Sequence, residues 1–95
     1  MWRQWKAKPR GTDFAPLAEL CRKDGRLDTA LEVLRVGLSQ VPGYLPGHIV
    51  QGRCFRDLDR HAEAEAAFRR ALQIEPDNVI AVQELADLKQ RPATG

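Results

Sequence analysis

The sequence has few of the residues on which enzymatic chemistry most often depends. It contains two histidines, two cysteines and one tyrosine among 95 residues, and aromatic residues make up 6% of the chain. Neither His48 nor His61 stands in the HExxH pattern of zinc proteases, and the chain has no phosphate-binding glycine-rich loop and no nucleophile elbow. We therefore predict a protein that is not an enzyme and that needs neither a cofactor nor a metal.

Long apolar runs and a large charge excess are also missing. No run approaches the roughly 20 apolar residues that cross a bilayer, and the N-terminus lacks the apolar segment of a secretory signal. The net charge of +2 is too small by itself to indicate nucleic-acid binding, which requires one coherent basic patch. The sequence predicts a cytoplasmic protein whose main partner is neither nucleic acid nor a membrane.

The two cysteines do not form a recognisable redox or metal motif. Cys21 and Cys54 each lie within an apolar helical pattern, without a CxxC spacing and without a histidine nearby at the spacing of metal ligands. Small buried side chains are the interpretation that we favour, and a redox or metal role is the alternative.

What the sequence does contain is an internal repeat. Three pairs of residues recur at a separation of 34 positions: Ala30 with Ala64, Leu34 with Phe68, and Pro42 with Pro76. A period of this length is typical of stacked supersecondary units.

Apolar residues within each unit recur with the period of a helix. In the first unit the stripe consists of Phe14, Leu17, Ala18 and Cys21, and Asp24–Gly25 ends the helix. Further helices are predicted from a cap at Asp28 to about Gln40, from Pro46 to the turn at 57–60, across residues 64–72, and from Val79 to about Gln90 after a cap at Asn78. Because the connections are short, the paired helices are expected to be antiparallel.

These units resemble the tetratricopeptide repeat. The small residue of the first helix is Ala18, then Gly52, then Ala86, and the closing prolines are Pro42 and Pro76. The resemblance covers about residues 11–90 and implies an all-α fold, a right-handed superhelical stack of antiparallel helix pairs with about two and a half 34-residue repeats. Gly37 replaces the usual alanine, which is expected to cost about 0.5–1 kcal/mol.

The resemblance also implies a division of the chain. A basic lead-in with two tryptophans occupies 1–10, two repeats occupy 11–44 and 45–78, a closing helix occupies 79–90, and a tail occupies 91–95.

The function that the resemblance implies is that of a scaffold or adaptor, which binds a protein or peptide partner in a concave groove. The groove positions are Arg22, Lys23, Ile49, Arg53, Arg56 and Gln83. Arg22 and Arg56 are equivalent residues one repeat apart, and Arg53 lies one turn before Arg56, so the three form a short basic row. Arginine binds carboxylates with two parallel hydrogen bonds, and we therefore expect an acidic partner segment. Glu19 and Glu84 stand at places where family members that bind chaperone tails need basic or amide residues, which disfavours that ligand.

A second hypothesis assigns the function to the ends of the stack. Ala81 and Leu88 are predicted on the side of the closing helix where another helix would pack, and Val82, Leu85 and Ala86 on its inner side. This end would then pair with a second copy, or with Trp2 and Trp5 of a neighbour, and the protein would be a self-assembling structural element. A contact between the basic N-terminus and RNA or an anionic membrane is a third alternative.

Overall fold

Five helices form the part of the chain that the structure, a computed structural model, describes, which is residues 13–90. They are α1 Phe14–Lys23, α2 Leu27–Gln40, α3 Leu45–Asp57, α4 His61–Ile74 and α5 Val79–Gln90, and no strand occurs in this range. The predicted all-α repeat stack is thereby confirmed. The predicted lead-in with Trp2 and Trp5, and the tail 91–95, lie outside the described residues.

The helix ends follow local rules. Gly25 takes a left-handed conformation with φ 82° after α1, and Asp59, which stands 34 residues later after α3, does the same with φ 62°. Asn78 caps α5 as predicted, because its side-chain oxygen accepts a hydrogen bond of 2.8 Å from the Ala81 amide.

The predicted cap at Asp28 is wrong. Helix α2 already begins at Leu27, where the Arg26 carbonyl accepts the first bond, 3.0 Å long, from the Ala30 amide. Asp28 therefore lies inside the first turn, where its negative charge is still favourable beside the positive end of the helix dipole.

The order of contacts between helices gives the stack an inner and an outer side. Helix α1 packs against α2, and α3 against α4, across turns of a few residues. Helix α1 also contacts α3, and α3 contacts α5, whereas α2 and α4 make at most marginal contact with one another. The three first helices of the repeats therefore lie next to one another on one side, which we call the inner side.

Glycines make room for aromatic rings where the helices cross. A Cβ atom on Gly37 of α2 would overlap the ring of Phe14 of α1, and a Cβ atom on Gly52 of α3 would overlap the ring of Phe68 of α4. Both rings are almost completely buried, with exposures of 1% and 0%. Gly37 therefore has a packing role that offsets its poor helix propensity.

The structure reverses the predicted faces of α5 except at Leu85, which is half-buried and packs against the core as predicted. Ala81 is 0% exposed and Leu88 is 4% exposed, and they pack with residues of α3 and α4, whereas Val82 is 48% exposed. The positions 34 residues before Ala81 and Leu88 are Gly47 and Cys54, which are likewise buried. Helices α3 and α5 thus pack onto the preceding helix pair through the same positions, and Ala81 and Leu88 are unavailable for association.

Candidate functional site

Six charged side chains of the first helices form a continuous network on the inner side of the stack. They are Glu19 and Arg22 of α1, Arg53, Arg56 and Asp57 of α3, and Glu84 of α5. The stack brings them together because equivalent turns of successive first helices lie side by side.

Arg22 joins α1 to α3. Its Nε and Nη2 atoms donate hydrogen bonds of 3.0 and 2.7 Å to the carboxylate of Glu19, and its Nη1 atom donates one of 2.9 Å to Asp57. The hydrogen bond from Arg22 lowers the pKa of Glu19, and the same bond raises the pKa of Arg22. Arg22 is therefore held by carboxylates on both sides, and only 16% of its side chain is exposed.

Glu84 joins α5 to α3. One carboxylate oxygen accepts a hydrogen bond of 2.6 Å from the Nε atom of Arg53, and the other accepts one of 2.6 Å from the Nη1 atom of Arg56. The Nε atom of Arg56 also lies 3.5 Å from a carboxylate oxygen of Asp57, which links the two halves of the network. Charge-assisted bonds of this length are among the stronger polar contacts of a protein.

The predicted basic row therefore exists as a row but carries no free charge. Arg22, Arg53 and Arg56 do lie on one face, and each is paired with at least one carboxylate. The arginines and the three carboxylates cancel, so this network has no net charge. Sequence reasoning identified the arginines but not the roles of Asp57 and Glu84. A search for opposite charges about one repeat apart on the first helices could have found them.

The other predicted groove residues have different surroundings. Lys23 is exposed at the end of α1, and Gln83 is exposed on α5. Ile49 is only 5% exposed and packs with Ala71 and Ala81, so its assignment to the groove surface is corrected to the core. A partner on the inner side would therefore meet mainly polar and charged groups.

The side chains of His48 and Cys54 are packed within the stack and have structural roles. The Nε2 atom of His48 lies 2.7 Å from the Pro42 carbonyl, and because a carbonyl only accepts, the ring donates this bond and ties α3 to the preceding turn. Cys54 is fully buried, and burial raises the pKa of its thiol to about 12. Within residues 13–90 no group of three or more His, Cys, Asp or Glu side chains is arranged to hold a metal ion.

Across the described helices, none is long and apolar enough to span a membrane. This agrees with the short amphipathic helices of the stack.

Comparison with known protein families agrees with this geometry. The family model described as tetratricopeptide repeat matches residues 46–78, which cover nearly all of α3, all of α4 and the turn after them. No curated protein matches the sequence. Helices α1 and α2 pack against one another as α3 and α4 do, although here the ring, Phe14, is on the first helix and the glycine, Gly37, on the second. Helix α5 packs on the preceding pair in the position of a further first helix. Residues 46–78 thus match the tetratricopeptide repeat, and the helices on either side of them continue the same all-α repeat stack.

Proposed function

We propose that the protein is a non-enzymatic interaction module that binds a segment of a partner protein along its inner side. The observation that supports this function is the charged network, which runs across α1, α3 and α5 with side chains that are 14–30% exposed. The donors and acceptors of this network are the kind of groups with which a repeat surface binds an extended or helical peptide.

The partner segment that we propose is acidic. Arginine side chains that are partly desolvated and fixed by neighbours lose little conformational freedom on binding. They donate hydrogen bonds to a carboxylate in a defined geometry. Because the arginines are already paired with carboxylates of the chain, the carboxylates of an acidic segment have to replace these partners. The two cysteines, which are unpaired, are in keeping with a reducing compartment, and we propose the cytoplasm as the place of action and an adaptor or scaffold as the role.

The test is to select peptides against the isolated protein and to map their binding by NMR. We expect shifts of backbone amides on α1, α3 and α5, and loss of binding in an Arg53→Glu/Arg56→Glu variant that is shown to be folded. Shifts confined to α2 and α4, or binding that survives both substitutions, would contradict the proposal. An Arg35→Glu variant, which changes a paired arginine of α2 instead, is the control.

Association through the exposed flank of α5 is a second candidate function. Val79 is 63% and Val82 48% exposed, and Ala86 is also exposed. The residues equivalent to Val82 and Ala86 in the second repeat are His48 and Gly52, which are both buried. Phe68 of the second helix of that repeat lies against Gly52, and no such helix covers the flank of α5 within residues 13–90.

The occupant in this second proposal is a second copy, or Trp2 and Trp5 of a neighbour, and the result is a homo-oligomer. Sedimentation of the protein and of a Val82→Glu variant tests it, with Leu20→Glu as the control, because Leu20 is 60% exposed and lies on α1 at the opposite end. We expect association that Val82→Glu abolishes and Leu20→Glu preserves. A protein that stays monomeric at high micromolar concentration would rule the idea out.

A further inference from the structure

The carboxylate of Glu84 is held by two arginines that belong to another helix. Its two oxygens accept hydrogen bonds of 2.6 Å each, one from Arg53 and one from Arg56. The arginines lie three residues apart on α3, so they face the same side and form a two-pronged carboxylate site. Glu84 fills this site almost completely, because its side chain is only 14% exposed.

The two sides of this contact are not equally well anchored. Helix α3 packs against α1, α2, α4 and α5, whereas α5 packs mainly on α4 and has an exposed flank with Val82. In a repeat stack each helix is held by its neighbours, and a helix with few neighbours opens at a lower free energy than one packed on several sides. Within residues 13–90, α5 has fewer neighbours than α3. The arginines thus form the fixed part of the contact, and Glu84 forms its replaceable part.

We propose that Glu84 occupies, from within the chain, the position that a carboxylate of the partner takes on binding. An aspartate or glutamate side chain of an acidic segment displaces it from Arg53 and Arg56. This inference rests on the proposed function, the binding of a partner segment on the inner side, and adds a way in which that binding is regulated. Glu84 competes with every acidic ligand at the high effective concentration of a group in the same chain. It restricts binding to segments that make further contacts along α1 and α3.

The test compares Glu84→Gln with the unmodified protein. The amide keeps the shape of the side chain but removes its charge, and the two arginines gain an unpaired positive charge. The probe is a fluorescent peptide of about ten residues that alternates glutamate with serine, and the same peptide with glutamine is the reference. We expect the variant to bind the glutamate peptide about tenfold more tightly, and its preference over the glutamine peptide to rise by the same factor.

The matched control is Glu65→Gln. Glu65 is also paired with an arginine, Arg69, at 2.6 Å, but both lie on α4, away from the network. This variant has the same net charge as Glu84→Gln, and we expect its affinity to equal that of the unmodified protein. An equal gain in both variants would overturn the proposal, since general charge would then explain the effect. Weaker binding by Glu84→Gln would overturn it too, because Glu84 would then position the arginines rather than compete for them.

A measurement on the unmodified protein covers the case in which Glu84→Gln does not fold. The Nε–H group of Arg53 donates to Glu84, so its NMR signal should move when the glutamate peptide is added, whereas that of Arg35, which is paired with Glu32 on α2, should not. An unchanged Arg53 signal in a protein that binds the peptide would contradict the exchange and leave the groove function intact. Absence of any ligand on the inner side would count against the groove function itself.

Discussion

At two helix crossings the residue matters because it has no side chain, which leaves room for an aromatic ring of the facing helix. Gly37 and Gly52 sit where two helices cross, and each lies directly under a buried aromatic ring. Helix propensity ranks glycine about 1 kcal/mol below alanine, which by itself favours replacement of both. The rings of Phe14 and Phe68 reverse that ranking, because a close-packed interior does not yield to an added methyl group.

Gly37→Ala is expected to destabilise the protein by about 1–3 kcal/mol, since overpacking outweighs the gain in helix propensity. Urea unfolding followed by circular dichroism measures the change. Gly43→Ala is the matched control, because a Cβ atom there meets nothing within 4 Å. Its effect should stay within about 0.5 kcal/mol. A Gly37→Ala variant that is as stable as the Gly43→Ala variant would show that Phe14 can move aside.

At the scale of the helix, both repeats use the same connections. The turns after α1 and α3 each contain one residue with positive φ, glycine in the first case and aspartate in the second. Helix α5 differs from the other four helices, because a side chain, Asn78, caps its first turn. The cap stabilises the first turn of a helix whose exposed flank has no covering helix within residues 13–90.

Removal of this cap is expected to loosen α5 first. Asn78→Ala should cost about 1 kcal/mol, since the Ala81 amide loses its partner. Hydrogen exchange resolved by residue should show faster exchange in α5 and little change in α1 and α2. Asn78→Asp keeps an acceptor oxygen at the same place and should preserve the exchange rates. Uniform acceleration in all helices would contradict a local role of the cap.

At the scale of the whole molecule, the charged network connects first helices that share a small apolar contact. Arg22 links α1 to Asp57 of α3, and Glu84 links α5 to α3. The network therefore fixes the relative positions of the helices that form the inner side. Partly exposed pairs of this kind contribute about 0.2–1 kcal/mol each.

Acid should weaken the Glu19–Arg22 pair of α1, which holds the arginine that contacts Asp57 of α3. The pKa of Glu19 is lowered from its usual 4.5 by the hydrogen bond from Arg22, so its contribution to stability is present above pH 4.5 and is lost as the pH falls through the lower folded value. We expect Glu19→Gln to flatten the pH dependence of the unfolding free energy in this range.

The control for this experiment is Glu32→Gln. The hydrogen bond from Arg35 lowers the pKa of Glu32 as well, but this pair lies on the exposed surface of α2 and joins no second helix, so we expect the smaller effect here. If both substitutions changed the pH dependence of the unfolding free energy equally, the link from Arg22 to Asp57 of α3 would add nothing to the effect of the Glu19–Arg22 pair.

The sequence alone was sufficient for the features that depend on neighbouring residues. The repeat of Leu34 and Phe68, the turn at Gly25, the cap at Asn78 and the common face of Arg53 and Arg56 all follow from spacing and from local propensity. These features specify the helices, their pairing and the resemblance to a tetratricopeptide repeat, because each is set within a few turns of chain.

The tertiary structure decided which groups meet across the stack. Helix α5 carries apolar residues on two sides, and only its packing on α3 and α4 shows that Ala81 and Leu88 are buried while Val82 is exposed. The pairing of Arg53 with Glu84 joins residues 31 positions apart, and the fit of Phe14 against Gly37 joins two helices. Such contacts depend on how helices are placed relative to one another, and hydrophobic periodicity within one helix contains no information about that placement.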